Sequence, residues 1–419
     1  MLLKGDFPKA EPIISIGLVL PQDKQSSISI TDSKTKKIFQ LKTKANSIFI
    51  NQKYLKKQLH FKNNSKNQSY ILNQVTAGRN FHWEKKITIN VFGDLIIKNK
   101  QGFLFIINQI KLEEYLICVA TSEMSSSCPI TLLEAQTIAA RSWILAAYEQ
   151  KHTNLKIDAC NDDCCQRYQG INNLNQMAYK ASSNTKGIIL TYQNKICDTR
   201  YSKSCGGISE NNENVWFDSP KLYLRSIYDS TLNKIPNLKN EKKMKDWIYK
   251  PKSCFCDNSN ITKNQLKNYL GDVDENGSYF RWEYSINHNE LCELIKIKTG
   301  IIFEKIKSLD PIDRGISGRI IKLKINGYIS GKITNIILKS EYEIRRVLHP
   351  KFLYSSAFII IANLNSTSSL TRFILKGAGW GHGVGLCQIG ALNMALKDYS
   401  SKEILFHYFQ NTKLKKLYD

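Results

Sequence analysis

Glu123 is the acidic residue of this 419-residue chain whose position best suits acid–base chemistry. It lies at the C-terminal end of a predicted helix whose other residues, such as Leu116 and Val119, are mostly apolar. The negative end of a helix dipole and apolar surroundings both disfavour a carboxylate, so both favour the protonated form that a general acid needs. The alternative reading of the same pattern is an exposed glutamate at a helix end.

A second candidate for chemistry is a cysteine-rich loop that follows His152. Its cysteines have the spacing Cys-x3-Cys-Cys (Cys160, Cys164 and Cys165), and the histidine lies eight residues before the first of them. Thiolate and imidazole are ligands of tetrahedral zinc sites, and ligands from one curled loop can converge on one ion. A disulfide or free thiols are the alternative, although the adjacent Cys164 and Cys165 cannot easily pair with each other.

Two glycine-rich segments are the third candidate. Six glycines lie between residues 377 and 390, around His382 and Gln388, and require a backbone that bends or is approached closely. The segment lacks the Lys-Ser/Thr that ends a phosphate-binding loop, and a lone histidine is usually structural. The smaller segment places the polar residues 202–204 just before Gly206 and Gly207.

Two predicted helices must position the first two candidates. One runs from after Lys111 to Met124, with acidic residues in its first turn, and the next from about Thr131 to Lys151. The second helix is rich in alanine and has one apolar face, which predicts a place in the core. Gln136 and Arg141 interrupt it, so they are predicted to be buried polar groups that need partners.

Strands are predicted on both sides of these helices. Alternation predicts a small meander over residues 87–107, and a hairpin over residues 188–201. Residues 51–67 are rich in Lys and Asn, which predicts a loop or an insertion rather than regular structure. Residues 232–274 are also rich in Lys and Asn, which predicts a surface insertion. The C-terminal helix begins with a capping-box spacing of Ser400 and Glu403. Segregated strands and helices favour an α+β fold.

Composition narrows the class of protein. Hydrophobic residues make up 42% of the chain, which excludes disorder for most of it. The net charge of +24 predicts an anionic partner, but Lys greatly outnumbers Arg, so base-reading nucleic-acid binding is disfavoured. An AT-rich genome would produce the same Lys excess without any partner. No apolar stretch is long enough to span a membrane, and no secretory signal is visible.

Taken in order, the motifs resemble the family of stage II sporulation protein D and the amidase enhancer LytB. The residues that carry the resemblance are Glu114-Tyr115-Leu116, Ser122-Glu123-Met124, Glu134-Ala135-Gln136, Ala140-Arg141, Asp158-x-Cys160, Cys165-Gln166-x-Tyr168-x-Gly170, Thr185-Lys186-Gly187, Tyr201-x3-Cys205-Gly206-Gly207, Gly379-Trp380-Gly381-His382-Gly383-Val384-Gly385 and Gln388-x-Gly390-Ala391. The pattern around Phe280-Arg281-Trp282 looks like versions from Bacteroidetes-type bacteria that do not sporulate. Cys205 and Cys387 stand where relatives often carry Ser, which is conservative in size.

The resemblance implies a discontinuous helix-and-sheet catalytic core in two parts, residues 88–228 and 344–419. An N-terminal β-rich region, residues 1–87, and a mixed insertion with a β-hairpin region, residues 229–343, lie outside this core.

The resemblance also implies an activity, that of a peptidoglycan lytic transglycosylase. Glu123 would be its catalytic acid and then base. Because the sugar's own 6-hydroxyl attacks and leaves a 1,6-anhydro end, no second carboxylate is needed. A structural zinc ion is implied at His152, Cys160, Cys164 and Cys165, where Cys164 occupies a position that is often His. The residues expected to bind substrate are Gln136, Arg141, Gln166, Tyr201, Ser202, Lys203, Ser204, Gly206, Gly207, His382 and Gln388.

A second function, from a different class, fits the same resemblance. It is a non-catalytic wall-binding module that stimulates an N-acetylmuramoyl-L-alanine amidase, and it would need the glycan-binding residues but not the acid. The expected partners are peptidoglycan glycan strands and an amidase or other cell-wall hydrolase, not nucleic acid. The expected location is the cell envelope or periplasm, although no signal peptide is visible.

Overall fold

The computed structural model describes residues 2–65, 68–79, 81, 83–232, 234–257, 261–270, 278–364 and 370–419. Strands and helices are both abundant in these residues, as the predicted α+β class requires. The strands are β1 (Ile13–Val19), β2 (Ser27–Asp32), β3 (Ile38–Lys44), β4 (Ser47–Ile50), β5 (Lys53–Lys56), β6 (Gln58–Phe61), β7 (Tyr70–Ala77), β8 (Lys85–Val91), β9 (Asp94–Lys100), β10 (Phe103–Lys111), β11 (Ala159–Cys160), β12 (Ile188–Tyr192), β13 (Lys195–Ile196), β14 (Tyr201–Ser202), β15 (Arg281–Asn287), β16 (Lys305–Arg314), β17 (Ile320–Ile329), β18 (Lys332–Leu338), β19 (Phe358–Leu364), β20 (Leu370–Ala378), β21 (Leu386–Cys387) and β22 (Lys413–Lys416). The helices are α1 (Leu112–Glu123), α2 (Ile130–Ala146), α3 (Gln176–Asn184), α4 (Glu213–Trp216), α5 (Glu241–Tyr249), α6 (Lys263–Leu270), α7 (His288–Thr299), α8 (Glu341–Val347), α9 (Gln388–Ala395) and α10 (Ser401–Tyr408).

The chain divides into two compact units. The first contains the described residues of Met1–Asp198, Lys267–Glu275 and Thr412–Asp419, and the second those of Thr199–Leu266 and Asn276–Asn411. The predicted boundaries after residues 87, 228 and 343 do not coincide with this division. The reason for the first difference is that β1 and β6, before residue 88, pair with β10 and β9, so the N-terminal strands and the residues that follow form one sheet.

Two larger sheets and a small one build the first unit. The strand orders are β11-β1-β10-β9-β6, β5-β4-β3-β2-β7-β8 and β13-β12-β22. Alternating apolar residues such as Ile28 and Ile30 of β2 face the core, together with Leu72 of β7 and Ile89 of β8. The predicted meander is only partly confirmed, because β9 and β10 pair with each other whereas β8 pairs with β7 in the other sheet.

Both predicted helices of the first unit are present. α1 follows β10 directly and ends at Glu123, where Met124 turns to an extended conformation. α2 ends at Ala146, earlier than predicted, because Ala147 adopts a left-handed conformation with φ +48°. Almost all of α2 is buried, as its alanine content suggests, and it packs against α1 and α3. The two packed helices therefore position the candidate acid Glu123, which is the last residue of α1.

The prediction of a loop over residues 51–67 is wrong. The described part of this segment forms β5 and β6, and β6 pairs with β9 through Leu59 opposite Ile97 and Phe61 opposite Leu95. Leu59 is buried and Phe61 packs partly against the core. The burial of two alternating apolar side chains therefore favours a strand despite the Lys and Asn residues around them. Residues 66 and 67 lie outside the described part of the chain.

The predicted hairpin after residue 188 is shorter than expected. Thr191 pairs with Ile196 across Gln193 and Asn194, which both have positive φ, as a type I′ turn requires. Tyr201, expected at the end of that hairpin, instead lies in β14, which pairs in parallel with β21 of the second unit.

The second unit contains three small sheets and its own core. The strand orders are β14-β21, β15-β20-β19 and β16-β17-β18. Its apolar core includes Trp282, Ile295, Leu323 and Phe358. The predicted capping box at Ser400 and Glu403 is confirmed at the start of α10.

The prediction of a surface insertion over residues 232–274 is wrong for the residues described. Met244 and Trp247 are buried there because the apolar face of α5 packs inward, and Cys256 is buried in the segment that follows α5. Residues 233, 258–260 and 271–274 lie outside the described part. No helix within the described residues combines the length and the apolar character that a bilayer span needs.

Candidate functional site

Glu123 is the last residue of α1, and only 8% of its surface is exposed. Its Oε1 accepts a hydrogen bond of 2.9 Å from the backbone N–H of Arg167. Arg167 belongs to the loop that carries the first cysteine cluster, 44 residues further along the chain. The carboxyl is therefore oriented by a backbone donor of this loop as well as by its own helix.

Gln166 holds that loop against both helices. Its Oε1 accepts a hydrogen bond of 3.1 Å from the Tyr115 hydroxyl of α1, and its Nε2 donates one of 3.1 Å to the Ala140 carbonyl of α2. Gln166 is 1% exposed, so these bonds form in a buried position. The structure thus gives Gln166 a role in positioning the next residue, Arg167, which donates to Glu123. The predicted contact of Gln166 with sugar stays a prediction.

Arg167 is a charged neighbour of Glu123 that the sequence analysis missed. Its guanidinium lies over the Trp83 ring, 4.4 Å from the ring centre, and pairs with Asp163 at 3.2 Å. Although burial opposes the charged form, the negative charges of Asp163 and Glu123 raise the pKa of Arg167 above its usual value. The surroundings of Glu123 therefore include a cation, which the apolar pattern of α1 alone could not reveal.

The four predicted zinc ligands come together in the first unit. The ligand atoms of His152, Cys160, Cys164 and Cys165, which we call the first cluster, all lie within 4.8 Å of one another. Cys160 Sγ is 3.1 Å from Cys164 Sγ, which is 3.7 Å from His152 Nε2. Three sulfurs and one imidazole nitrogen around one point are a donor set that suits zinc.

Hydrogen bonds within the first cluster determine where negative charge settles. Bonds from the thiols of Cys160 and Cys165 lower the pKa of Cys164, whereas the bond to Cys164 raises the pKa of Cys160. These directions favour a thiolate at Cys164 and a protonated thiol at Cys160. A divalent cation would displace those protons, because it binds thiolates rather than thiols.

The first cluster is tied to the sheets by Asp162. Its carboxylate accepts backbone hydrogen bonds from Gly78 and Arg79, at 2.9 and 2.6 Å, and its carbonyl accepts one from Cys165 at 2.8 Å. On the other side, Cys160 belongs to β11, which pairs with β1. The loop is thus fixed at Cys160 and at Asp162, and its predicted zinc ligands lead directly into Gln166 and Arg167, which orient Glu123.

Arg141 and Gln136, both predicted to bind substrate, are completely buried in α2. The Arg141 guanidinium pairs with Glu113, with Nε 2.9 Å from Oε1, and donates to the Ile188 carbonyl at 2.9 Å. Glu113 also accepts hydrogen bonds from Gly187 N–H and the Tyr418 hydroxyl. These bonds join α1, α2, β12 and the C-terminus, so the structure gives Arg141 a packing role and its contact with sugar stays a prediction.

The remaining predicted substrate-binding residues all lie in the second unit. They occupy β14 and the turn after it, the glycine-rich segment before β21, and the start of α9, and are Tyr201, Ser202, Lys203, Ser204, Gly206, Gly207, His382 and Gln388. Backbone bonds hold the two chain segments together: Ser204 exchanges two with Trp380, and Ile389 donates to the Lys203 carbonyl. The motifs at residues 201–207 and 379–391 therefore form one local assembly.

Gly206 and Gly207 are needed for backbone reasons. Their φ values are +78° and +105°, which side chains of L-residues rarely allow. A Cβ at Gly206 would lie 2.9 Å from the Ala378 carbonyl carbon, and one at Gly207 would lie 2.6 Å from the Trp247 ring. The two glycines thus permit a tight turn beside the chain at Ala378 and Gly379.

His382 and Gln388 are packed into the second unit. His382 Nδ1 accepts a hydrogen bond of 3.0 Å from Val384 N–H, and its ring meets the Trp216 ring edge-on at 4.9 Å. The Arg200 guanidinium lies over the same Trp216 ring. Gln388 is the first residue of α9 and is 1% exposed. Their contacts with substrate stay predictions.

Comparisons with known proteins match the two units separately. A family model described as "Stage II sporulation protein" matches residues 100–192, a range that contains Glu123 and the first cluster. A model described as a domain of unknown function, DUF8618, matches residues 210–385.

Individual relatives cover both units. An uncharacterized protein of Brachyspira hyodysenteriae is 27% identical over 321 residues, which are 77% of this chain and 71% of that protein. Stage II sporulation protein D of Bacillus subtilis is 26% identical over 325 residues, 74% of this chain and 75% of that protein. The amidase enhancer of Bacillus subtilis is 26% identical over 321 residues, but these span only 39% of its length. The ordered motifs, the family model matched by residues 100–192 and these relatives together support the resemblance of this chain to the family of stage II sporulation protein D and the amidase enhancer LytB.

Proposed function

We propose that this protein acts in the cell envelope as a peptidoglycan lytic transglycosylase, with Glu123 as its acid and base. The observation that carries the proposal is the buried carboxyl of Glu123 at the end of α1, oriented by the Arg167 N–H. The relatives named as a sporulation protein and an amidase enhancer support a role at the cell wall. The net charge of +24 suits a carboxylated glycan as substrate.

The chemistry requires one carboxyl group in two protonation states. Protonated Glu123 gives its proton to the glycosidic oxygen as the bond to the anomeric carbon breaks. The 6-hydroxyl of the same sugar then bonds to that carbon, and Glu123 takes up the hydroxyl proton. The products are a 1,6-anhydro end and a free hydroxyl on the departing sugar. No water is consumed and Glu123 returns to its starting state, so one carboxylate is sufficient.

Zinc has a structural role in this proposal. The first cluster would hold the ion, which would fix the loop from Cys160 to Arg167 and with it the donor to Glu123. Catalytic geometry must be kept within about 1 Å, since larger misplacement can cost about 10²-fold in rate. Gln166 and Tyr115 contribute to the same positioning through their buried hydrogen bond.

The polar groups of the second unit are proposed to bind glycan. Ser202 and Lys203 are the first to test, because they lie in and just after β14, next to the glycine turn at Gly206. We expect Lys203→Ala to raise the substrate concentration needed for half-maximal rate with a smaller effect on the rate at saturation, since it removes binding rather than proton transfer.

The experiment that tests the proposal uses glycan strands stripped of stem peptides. We expect the wild-type protein to release fragments with 1,6-anhydro ends, detected by chromatography and mass spectrometry. Glu123→Gln keeps the shape of the side chain but cannot transfer the proton, so we expect a rate at least about 10³-fold lower. The matched control is Glu134→Gln, which should retain activity. Glu134 lies on α2 and accepts a hydrogen bond from the Asn184 side chain. Equal product from wild type and Glu123→Gln would contradict the proposal.

A second candidate function follows from the relative named amidase enhancer. In that case the chain binds peptidoglycan and stimulates an amidase without cleaving glycan itself. The two functions differ in their need for the acid. If Glu123→Gln binds peptidoglycan and stimulates amidase as well as the wild type, and the wild type releases no anhydro ends, the enhancer function is correct and the transglycosylase is not.

A further inference from the structure

A second group of side chains that could ligate a metal lies in the second unit, and the sequence motifs did not predict it. Cys205, Asp229, Cys256 and Cys387, which we call the second cluster, are all buried, and their ligand atoms lie within 4.8 Å of one another. Cys205 Sγ is 3.6 Å from Cys256 Sγ and 3.4 Å from Asp229 Oδ2. The cluster shares no residue with the first cluster or with the proposed acid.

The spacing of the sulfurs suits one shared cation. A zinc–sulfur bond is about 2.3 Å long, so two sulfurs at the corners of a regular tetrahedron around zinc lie about 3.8 Å apart. The 3.6 Å between Cys205 and Cys256 is close to that distance. Three sulfurs and one carboxylate converge here within 4.8 Å, which is a donor set that suits zinc.

The surroundings of the second cluster orient its ligands. The Tyr408 hydroxyl donates a hydrogen bond of 2.7 Å to Asp229 Oδ1, and His407 Nε2 lies 3.5 Å from the same oxygen. Cys387 Sγ accepts a hydrogen bond of 3.2 Å from Cys205 N–H. Outer contacts of this kind fix ligand orientation in metal sites. They also explain why a carboxylate is tolerated at a fully buried position.

Two arginines, the buried Arg319 and the half-buried Arg281, lie beside the second cluster. Three thiolates and a carboxylate carry four negative charges, of which a divalent cation neutralises two. Arg319 donates to the Cys205 carbonyl at 3.3 Å, and Arg281 donates to the Gly206 carbonyl at 3.2 Å. These guanidinium groups supply positive charge where such a metal complex would need it.

We propose that Cys205, Asp229, Cys256 and Cys387 form a second, structural zinc site. Four protein ligands close the coordination shell of zinc and leave no position for a reacting water, so its role is to hold the fold. Binding displaces the thiol protons to solvent and forms three zinc–sulfur bonds and one zinc–oxygen bond. The ion would join the glycine turn after Cys205 to the start of α9 after Cys387, 182 residues apart.

Metal counting on the purified full-length chain tests the proposal. We expect two zinc ions per chain in the wild type, one in Cys387→Ser and in Cys256→Ser, and one in the first-cluster variant Cys160→Ser/Cys165→Ser. Cys254→Ser is the matched control, because Cys254 Sγ is 3.9 Å from Cys256 Sγ but lies outside the four-ligand group. It should keep two ions. Loss of an ion in this control as well would contradict the assigned ligand set.

A second measurement covers variants that fail to fold. In the first-cluster variant, cobalt substituted for the remaining zinc should give the intense absorption of thiolate–cobalt bonds and the weaker bands of a tetrahedral ion. A wild-type chain with one zinc ion, lost entirely in the first-cluster variant, would overturn the proposal. So would a disulfide between any two of Cys205, Cys256 and Cys387, detected by peptide mapping without reduction.

Discussion

The two cysteine clusters of this protein have similar ligand atoms, but the ligands of the first lie close together in the sequence and those of the second lie far apart. The first draws its ligands from residues 152–165, a single loop, whereas the second draws them from residues 205–387. The first continues directly into Gln166 and Arg167, which orient Glu123. The second is enclosed by Tyr408, Arg281 and Arg319. The difference separates a loop that orients the proposed acid Glu123 from a proposed metal site that would hold distant segments together.

The largest effect should come from removing the first cluster. Structural zinc contributes on the order of 10 kcal/mol in small zinc-binding peptides, so the loss of the zinc ion proposed for the first cluster should free the loop that carries the donor to Glu123. We expect Cys160→Ser/Cys165→Ser to lower the rate of glycan cleavage at least about 100-fold. The rate is measured by release of anhydro ends. Cys292→Ser, a half-buried thiol outside both clusters, is the control, and an unchanged rate in the double variant would remove the link between zinc and Glu123.

The next prediction concerns the buried ion pair of Glu113 and Arg141, which joins α1 to α2. Glu113→Ala leaves the completely buried guanidinium of Arg141 without its carboxylate, which should lower the free energy of unfolding by about 3–5 kcal/mol. Chemical denaturation followed by tryptophan fluorescence measures it. The exposed pair of Glu293 and Lys296 provides the control, since Glu293→Ala should cost less than about 1 kcal/mol. Equal losses in both variants would show that the buried pair does not anchor α1 and α2.

A smaller effect is expected beside the second cluster. Tyr408→Phe removes the hydroxyl that donates to buried Asp229, at a cost of about 1–3 kcal/mol in the free energy of unfolding. Hydrogen exchange measured by mass spectrometry should speed up in peptides around Asp229 and α9 and stay unchanged in α2. Faster exchange in α2 as well would show that the effect is not local to the second cluster.

The contrast between the clusters also explains what the sequence could predict. His152 and the three cysteines of the first cluster lie close along the chain, so their spacing alone was informative. Cys205 and Cys387 could be judged only as size-conservative replacements, and Cys256 fell in a segment read as a surface insertion. Their meeting depends on the parallel pairing of β14 with β21 and on the burial of residues near α5, which are long-range contacts without a local signal.

The same reasoning applies to the fold and to Glu123. α1, α2 and the capping box of α10 were predictable because helix periodicity and caps are local. β6 was missed because two apolar residues in a Lys-rich stretch gain their partners only from β9. For Glu123, the helix end was visible, but the donor Arg167 N–H comes from a different part of the chain.

The most direct test of the central claim is to digest glycan strands in water enriched in oxygen-18 and to analyse the new ends by mass spectrometry. If Glu123 directs attack by the sugar's own 6-hydroxyl, the wild-type protein will produce 1,6-anhydro ends without the heavy oxygen, and Glu123→Gln will produce almost none. New reducing ends that carry oxygen-18, or anhydro ends formed equally by Glu123→Gln, would contradict the account.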